Sequence, residues 1–244
     1  MFTGPLRILF LSVCGVLFIA AGQVQADVPE KLKKELNSRL EKDQQERQEA
    51  KAKLLSDFDD ALAKVRQNKR FTPEDRATLL ASIELERATF DKTGCVPFSP
   101  VMRVAMQNYV GKVSSSDRRT MQVYDDVIRT LTNAKEDQAA AAYVRERAGV
   151  PLLIGRCRCQ GANFDKGKQF HWYFYSDFTM NRFAEDYEVY PKYWVFKGDK
   201  IEVTNHAAHA PKEGFKDLYT FHDDGQMFEG RNQFGAVYVG HRAE

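Results

Sequence analysis

Three of the four cysteines, two histidine-bearing segments and a crowd of aromatics are the side chains in this sequence with chemistry to offer. Cys157-Arg158-Cys159 places two thiols on one face of a strand, because alternate residues of a strand share a face. Closure within a Cys-x-Cys is geometrically poor. The pair therefore reads as buried small side chains with one thiol bonded to Cys95, or as a soft-metal pair. A bridge from Cys95, which follows a helix, to Cys157 or Cys159 would staple two parts of the chain together, and this is the expectation. His206-Ala207-Ala208-His209 could pinch a metal on a helix, but its neighbours read as a loop between strands. His222-Asp223-Asp224 joins a base to carboxylates, yet Asp223-Asp224-Gly225 is better explained as turn chemistry. The chain has no Gly-x-Ser-x-Gly, no His-Glu-x-x-His and no glycine-rich phosphate loop ahead of a helix. No catalytic residue, metal or cofactor is assigned.

The aromatics Phe170, Trp172, Phe174, Trp194, Phe196, Tyr219 and Phe221 read first as core. A second reading makes Trp172, Phe174, Trp194, Phe196, Tyr219 and Phe221 the lining of a site for a small apolar or ring-bearing ligand. The 95 residues from 150 to 244 leave little room, so a fully packed interior is predicted.

The elements that must position these side chains change character near Gly149-Val150-Pro151. Residues 27–149 hold seven aromatics and helical periodicity; residues 150–244 hold nineteen aromatics in short alternating runs. Charge is balanced in both parts, so they differ in fold rather than electrostatic role. Pro29 to Asn68 predicts one long helix or two in series, with apolar stripes at Leu32, Leu36 and Leu40 and at Leu54, Leu55, Phe58, Leu62 and Val65. Glu41 to Lys53 has no large apolar residue and reads as a solvated arm, with a partner-binding coiled coil as the sharper alternative. Thr72-Pro73-Glu74-Asp75 starts a helix that stops before Gly94. Ser99-Pro100 predicts another over Val101 to Val113, and Ser116-Asp117 a third, with Met121, Tyr124, Ile128 and Leu131 on one face. A last helical stretch covers residues 136–148.

Beyond the junction, eight strands are predicted around residues 152–160, 168–175, 178–184, 189–197, 199–204, 215–222, 226–232 and 236–242. Lys197-Gly198-Asp199 and Asp223-Asp224-Gly225 mark tight turns. Short strands joined in this way predict an antiparallel up-and-down barrel, closed so that no edge is exposed. The fold class is α+β: residues 27–149 a helical bundle with a long exposed first helix, residues 150–244 the barrel.

The N-terminus reads as a secretory signal. Arg7 precedes an apolar run from Ile8 to Ala20, too short for a span, and Ala26 supplies the small residue before a cut. Residues 1–26 are the expected signal peptide. Their removal takes Cys14 as well, and export would bring the other cysteines into an oxidising compartment. The expected location is periplasmic or extracellular, with no stable membrane span after processing. The whole chain has 36 basic and 34 acidic side chains, and that balance excludes the electrostatic case for nucleic acid.

Gly155-Arg156-Cys157, His171-Trp172-Tyr173-Phe174, Tyr193-Trp194-Val195-Phe196 and Asp224-Gly225-Gln226-Met227-Phe228-Glu229-Gly230 together resemble the lipocalin-like or avidin-like small barrels of secreted bacterial proteins. With Thr72-Pro73-Glu74, Phe98-Ser99-Pro100 and Tyr124 ahead of them, the chain is similar to uncharacterised secreted planctomycete proteins that join a helical region to such a barrel. In that family the first strand usually reads Gly-x-Trp, the Trp plugging the barrel floor; here Cys157 stands in its place. The resemblance implies a non-enzymatic binding or interaction protein with a small ligand or an envelope protein as partner. The alternatives are an exported hydrolase or isomerase using Asp, Glu and His at the barrel mouth, or an envelope structural protein.

Overall fold

The computed structural model describes residues 28–161, 169–183, 192–198, 200–205, 212–222, 225 and 227–242. The expected signal peptide, His206, His209, Asp223 and Asp224 lie outside these residues, as do the side chains of Cys159 and Phe170. Four helices precede eight strands: α1 Glu30–Gln67, α2 Pro73–Thr93, α3 Arg103–Asn133 and α4 Asp137–Ala148, then β1 Leu153–Gly161, β2 Gln169–Tyr175, β3 Thr179–Phe183, β4 Lys192–Lys197, β5 Lys200–Asn205, β6 Phe215–Phe221, β7 Met227–Asn232 and β8 Val237–Arg242. Helices followed by a closed antiparallel barrel are the α+β arrangement expected from the sequence. Among the described residues, no helix is long and apolar enough to cross a membrane.

α1 is one unbroken helix. Its middle is no solvated arm. Asp43 is buried and Arg47 half-buried against α3, with Ala50 and Leu54 continuing the packed face. Arg39, Glu46 and Arg47 reach α3 side chains, so polar groups seal a stretch that lacks large apolar residues. α2 begins where predicted: the Asp75 N–H donates to Thr72 Oγ1 at 3.1 Å, and Pro73 occupies the first turn. It ends at Gly94, whose φ of 77° suits a residue without a Cβ.

The two helices expected from Ser99-Pro100 and Ser116-Asp117 are one. A 3-10 turn, Pro100–Met102, runs straight into α3, which continues through Ser114, Ser115, Ser116 and Asp117. Ser116 and Asp117 do not cap their own backbone, because partners on other elements take them: Ser116 Oγ lies 2.5 Å from Asp43 Oδ1 and 2.6 Å from Glu46 Oε2, and the Asp117 carboxylate accepts from Arg47 and Ser176. One end of α1 and α3 packs with α4 through Val28, Leu36, Tyr124, Val127, Leu131 and Ala140.

The barrel closes by β1 pairing with β8 as well as with β2, in the order β1 to β8, every neighbour antiparallel. Every described strand pairs with two neighbours, which is how an all-antiparallel sheet avoids edge-to-edge association. One apolar core runs from Leu54, Phe58 and Phe90 of the helices through Val96, Phe98 and Met102 into Ile154, Trp172 and the barrel interior. The chain between α2 and α3 is the bridge, and the Val96 N–H donates to Ile154 O at 2.7 Å.

Candidate binding site in the barrel lumen

Alternation selects the residues that point inward. On β2 these are Trp172 and Phe174, on β4 Lys192 and Trp194, on β5 Ile201 and Val203, and on β6 Asp217, Tyr219 and Phe221, all of them buried. Phe228 of β7 and Tyr238 of β8 complete the ring. Two glycines make room for it: a Cβ on Gly230 would sit 2.1 Å from Tyr219 Cε1, and one on Gly240 2.1 Å from Phe228 Cζ. The large rings of β6 and β7 therefore lie flat over bare backbone of the next strand.

The end nearest the helices is stoppered. Phe98, from the chain between α2 and α3, stacks on Phe221 with centroids 4.5 Å apart and rings within 6° of parallel, and lies 6.1 Å from Phe174. Gly155 leaves room for it, since a Cβ there would meet Phe98 Cζ at 2.9 Å. Phe98 is held by Glu86 of α2, a fully buried carboxylate. Glu86 Oε1 accepts the Phe98 and Ser99 N–H groups at 2.7 and 3.0 Å, and Glu86 Oε2 accepts the Ser99 hydroxyl at 2.5 Å. Charge-assisted bonds of this kind are the strong ones. The turn at Gly225 closes over this anchor, where a Cβ would lie 2.3 Å from Glu86 Oε1. Thus the barrel floor is filled from outside the barrel, by Phe98.

The next layer is aromatic throughout. Phe174 meets Trp194 edge-on at 5.8 Å, Trp194 meets Phe196 at 5.2 Å, and Phe221 lies 5.2 Å from Phe228. Edge-to-face pairs at these separations are the favoured geometry. The Trp194 indole N–H donates to Tyr175 O at 3.1 Å.

The far end, on the side of the β7–β8 turn, is different. Lys192 and Asp217 are buried inside the barrel, at 6% and 9% exposure. The Lys192 ammonium lies 5.6 Å from the centre of the Trp172 ring, a cation–π separation. The Tyr219 hydroxyl donates to Asp217 Oδ2 at 3.0 Å. Across from Lys192 in register is Asn205, whose Oδ1 is buried with no hydrogen-bond partner among the described residues. Tyr238 faces the same layer, its ring 6.0 Å from that of Trp172. One basic, one acidic, two phenolic and one amide group thus share the distal third of an otherwise apolar lumen.

All six residues expected to line a ligand site do converge in the barrel, but they divide. Phe174, Trp194, Phe196 and Phe221 form the packed proximal layers, Phe196 being half-buried and the others buried. Trp172 and Tyr219 reach the polar layer. Sequence reasoning missed Lys192, Asp217, Phe228 and Tyr238, though the two-residue period that marks Trp172 and Phe174 would also have marked Lys192 ahead of Trp194 and Asp217 ahead of Tyr219. Phe98 had no such signal, because it lies in a linker.

Of the two pairings expected for Cys95, the structure bears on the one with Cys157. Cys95 and Cys157 are buried thiols. Cys95 lies beside the start of β1, next to the Val96–Ile154 hydrogen bond, while Cys157 sits further along the strand, opposite Trp172 in register. The chain therefore meets β1 at Ile154, and at that register Cys95 and Cys157 are not bonded to each other. The Cys95–Cys159 alternative lies outside the described side chains. Among the described residues, no three His, Cys, Asp or Glu side chains gather as a metal ion would need. A separate cleft of about 530 Å³ lies between α2 and the 3-10 turn, walled by Phe71, Leu79, Pro100 and Val101. None of the six residues expected to line a ligand site borders it.

No family model, curated protein or solved structure matches this chain.

Proposed function

We propose that this chain is an exported, non-enzymatic binding protein whose barrel takes a small ring-bearing ligand at its distal end. The observation that carries this reading is the buried polar layer: an ammonium, a carboxylate, a phenol and an amide oxygen with no partner among the described residues, in a lumen that is otherwise apolar. A barrel packed only for stability has no use for buried charge, since each polar group taken out of water costs free energy unless a partner compensates it. Trp172 offers a ring face, Tyr219 an edge, and Lys192, Asp217 and Asn205 the polar contacts that fix orientation, the usual division of labour in a small-molecule site. The proximal layers and the Phe98 stopper give that site a rigid floor.

The test is native mass spectrometry of the protein purified from its own compartment, followed by titration of the stripped protein with benzoate, benzylamine and benzyl alcohol while tryptophan emission is recorded. The expected result is a mass excess lost on denaturation, and a saturable emission change with at least one probe that is absent in Trp172→Phe. Bare mass together with no saturable response to any of the three would overturn the reading.

A further inference from the structure

Asp117 sits in the middle of α3 with its carboxylate fully buried. Four segments face it. α1 presents Arg47 and Asp43: Arg47 Nη2 donates to Asp117 Oδ1 at 2.7 Å, and Arg47 Nε lies 2.7 Å from Asp43 Oδ2. The chain entering β1 presents backbone, and the same Arg47 Nη2 donates to Val150 O at 2.8 Å. The β2–β3 turn presents Ser176 and Asp177. The Ser176 hydroxyl donates to Asp117 Oδ2 and accepts the Leu152 N–H at 2.8 Å, while the Ser176 N–H donates to Leu152 O at 2.9 Å. α3 itself adds the buried Tyr109, and Ser116 with its contacts to Asp43 and Glu46. Arg39 and Arg119 hold Glu46 from the other side, at 2.8 and 2.7 Å. One carboxylate thereby ties two helices to two pieces of the barrel's proximal rim.

Charge at this position is expensive. The carboxylate is out of water, one guanidinium is shared between it and Asp43, and Asp177 adds like charge. The neutral acid keeps its neighbours but changes the bonding. Oδ1 still accepts from Arg47, and a proton on Oδ2 reverses the bond to Ser176 Oγ, which then accepts from both Asp117 and Leu152 and turns its own hydrogen elsewhere. Taking up a proton relieves the buried charge at the cost of the ion pair to Arg47.

We infer that Asp117 is a proton-operated joint that grips the helical half to the barrel more tightly in mildly acid than in alkaline solution. Burial, with Asp43 and Asp177 adding to it and Ser176 and Arg47 opposing it, pushes the Asp117 carboxyl from 3.8 up to about 6. A carboxyl raised on folding contributes stability that is full below its unfolded value and is lost as pH rises through its folded value. Glu46 has the opposite sign. Burial raises it, but hydrogen bonds from Ser116, Arg119 and Arg39 win and bring it from 4.5 down to about 2. Its contribution is present above 4.5 and is lost as pH falls through about 2. The two together place the tightest grip in the mildly acid range.

The experiment is urea unfolding of the full chain at pH 5 and pH 8, for the parent and for Asp117→Asn, both carrying Trp172→Phe so that Trp194 alone reports. Trp194 is suited to this because its indole bonds Tyr175 O, the residue before Ser176. For the parent, the unfolding equilibrium constant should be roughly tenfold smaller at pH 5 than at pH 8 by proton linkage. Histidine titration is common to both proteins and cancels in the difference. Asp117→Asn should lose that tenfold factor. An equal pH effect in both proteins, or one more favourable to pH 5 in Asp117→Asn than in the parent, overturns the inference. Carboxyl-labelled aspartate NMR on the parent gives a second reading that needs no variant: one aspartate titrating near 6 supports the joint, and none above 5 overturns it.

Discussion

The two ends of the barrel are built from the same strands yet solve opposite problems. At the helix end every inward side chain is apolar, and the stopper is a phenylalanine held by a buried glutamate from outside the sheet. At the far end the same inward positions carry Lys192, Asp217 and Asn205, next to the polar edges of Trp172 and Tyr219. A packed apolar floor and a polar layer within one short lumen teach that apolar closure and buried polar groups are kept to separate layers. The helical half serves the first of these by supplying Phe98 and Glu86.

The comparison can be broken at the floor. Phe98→Ala removes a ring stacked on Phe221, and should cost about 3–5 kcal/mol as a truncation in a packed core. The urea midpoint measures it, and saturating the variant with benzene should recover part of the loss by refilling the hole. Breaking it at the mouth should cost less. Tyr219→Phe leaves the ring in place but takes one donor from the Asp217 carboxylate, for an expected loss of about 1.5–3 kcal/mol in the same assay. A loss at Tyr219 equal to that at Phe98 would mean that the polar layer is as much a part of closure as the floor. The smallest effect sharpens the contrast between inside and outside. Val195 follows Trp194 on β4 but points outward and is 47% exposed, so Val195→Thr should change stability by no more than about 0.5 kcal/mol.

The eight strands were legible because alternation is local: Tyr193-Trp194-Val195-Phe196 announces a two-sided strand to anyone reading four residues, and Gly198 and Gly225 fall between β4 and β5 and between β6 and β7. The start and stop of α2 were equally local, since Thr72, Pro73 and Gly94 act within a turn of themselves. Ser116-Asp117 shows where such reading fails. As a dipeptide it signals a helix start, and in the fold it is mid-helix, because its partners Asp43 and Ser176 come from 73 and 59 residues away. The solvated look of Glu41 to Lys53 failed for the same reason, as the arginines and acids there are paired across to α3.

What the sequence determined by itself was therefore the set of elements: the periods of 2 and 3.6, the turn residues, the division near Gly149, and the faces on which Trp172, Phe174, Trp194, Phe196, Tyr219 and Phe221 would lie. Those depend on interactions within a few residues, which a linear reading can see. Only the tertiary structure decided that Phe98 is the barrel's floor, that Glu86 holds it there, and that Lys192 and Asp217 meet in one layer. Each of these is a contact between segments far apart in the chain. A buried carboxylate or ammonium is tolerable only where distant groups arrive to satisfy it, and no pattern along the chain records which groups those will be.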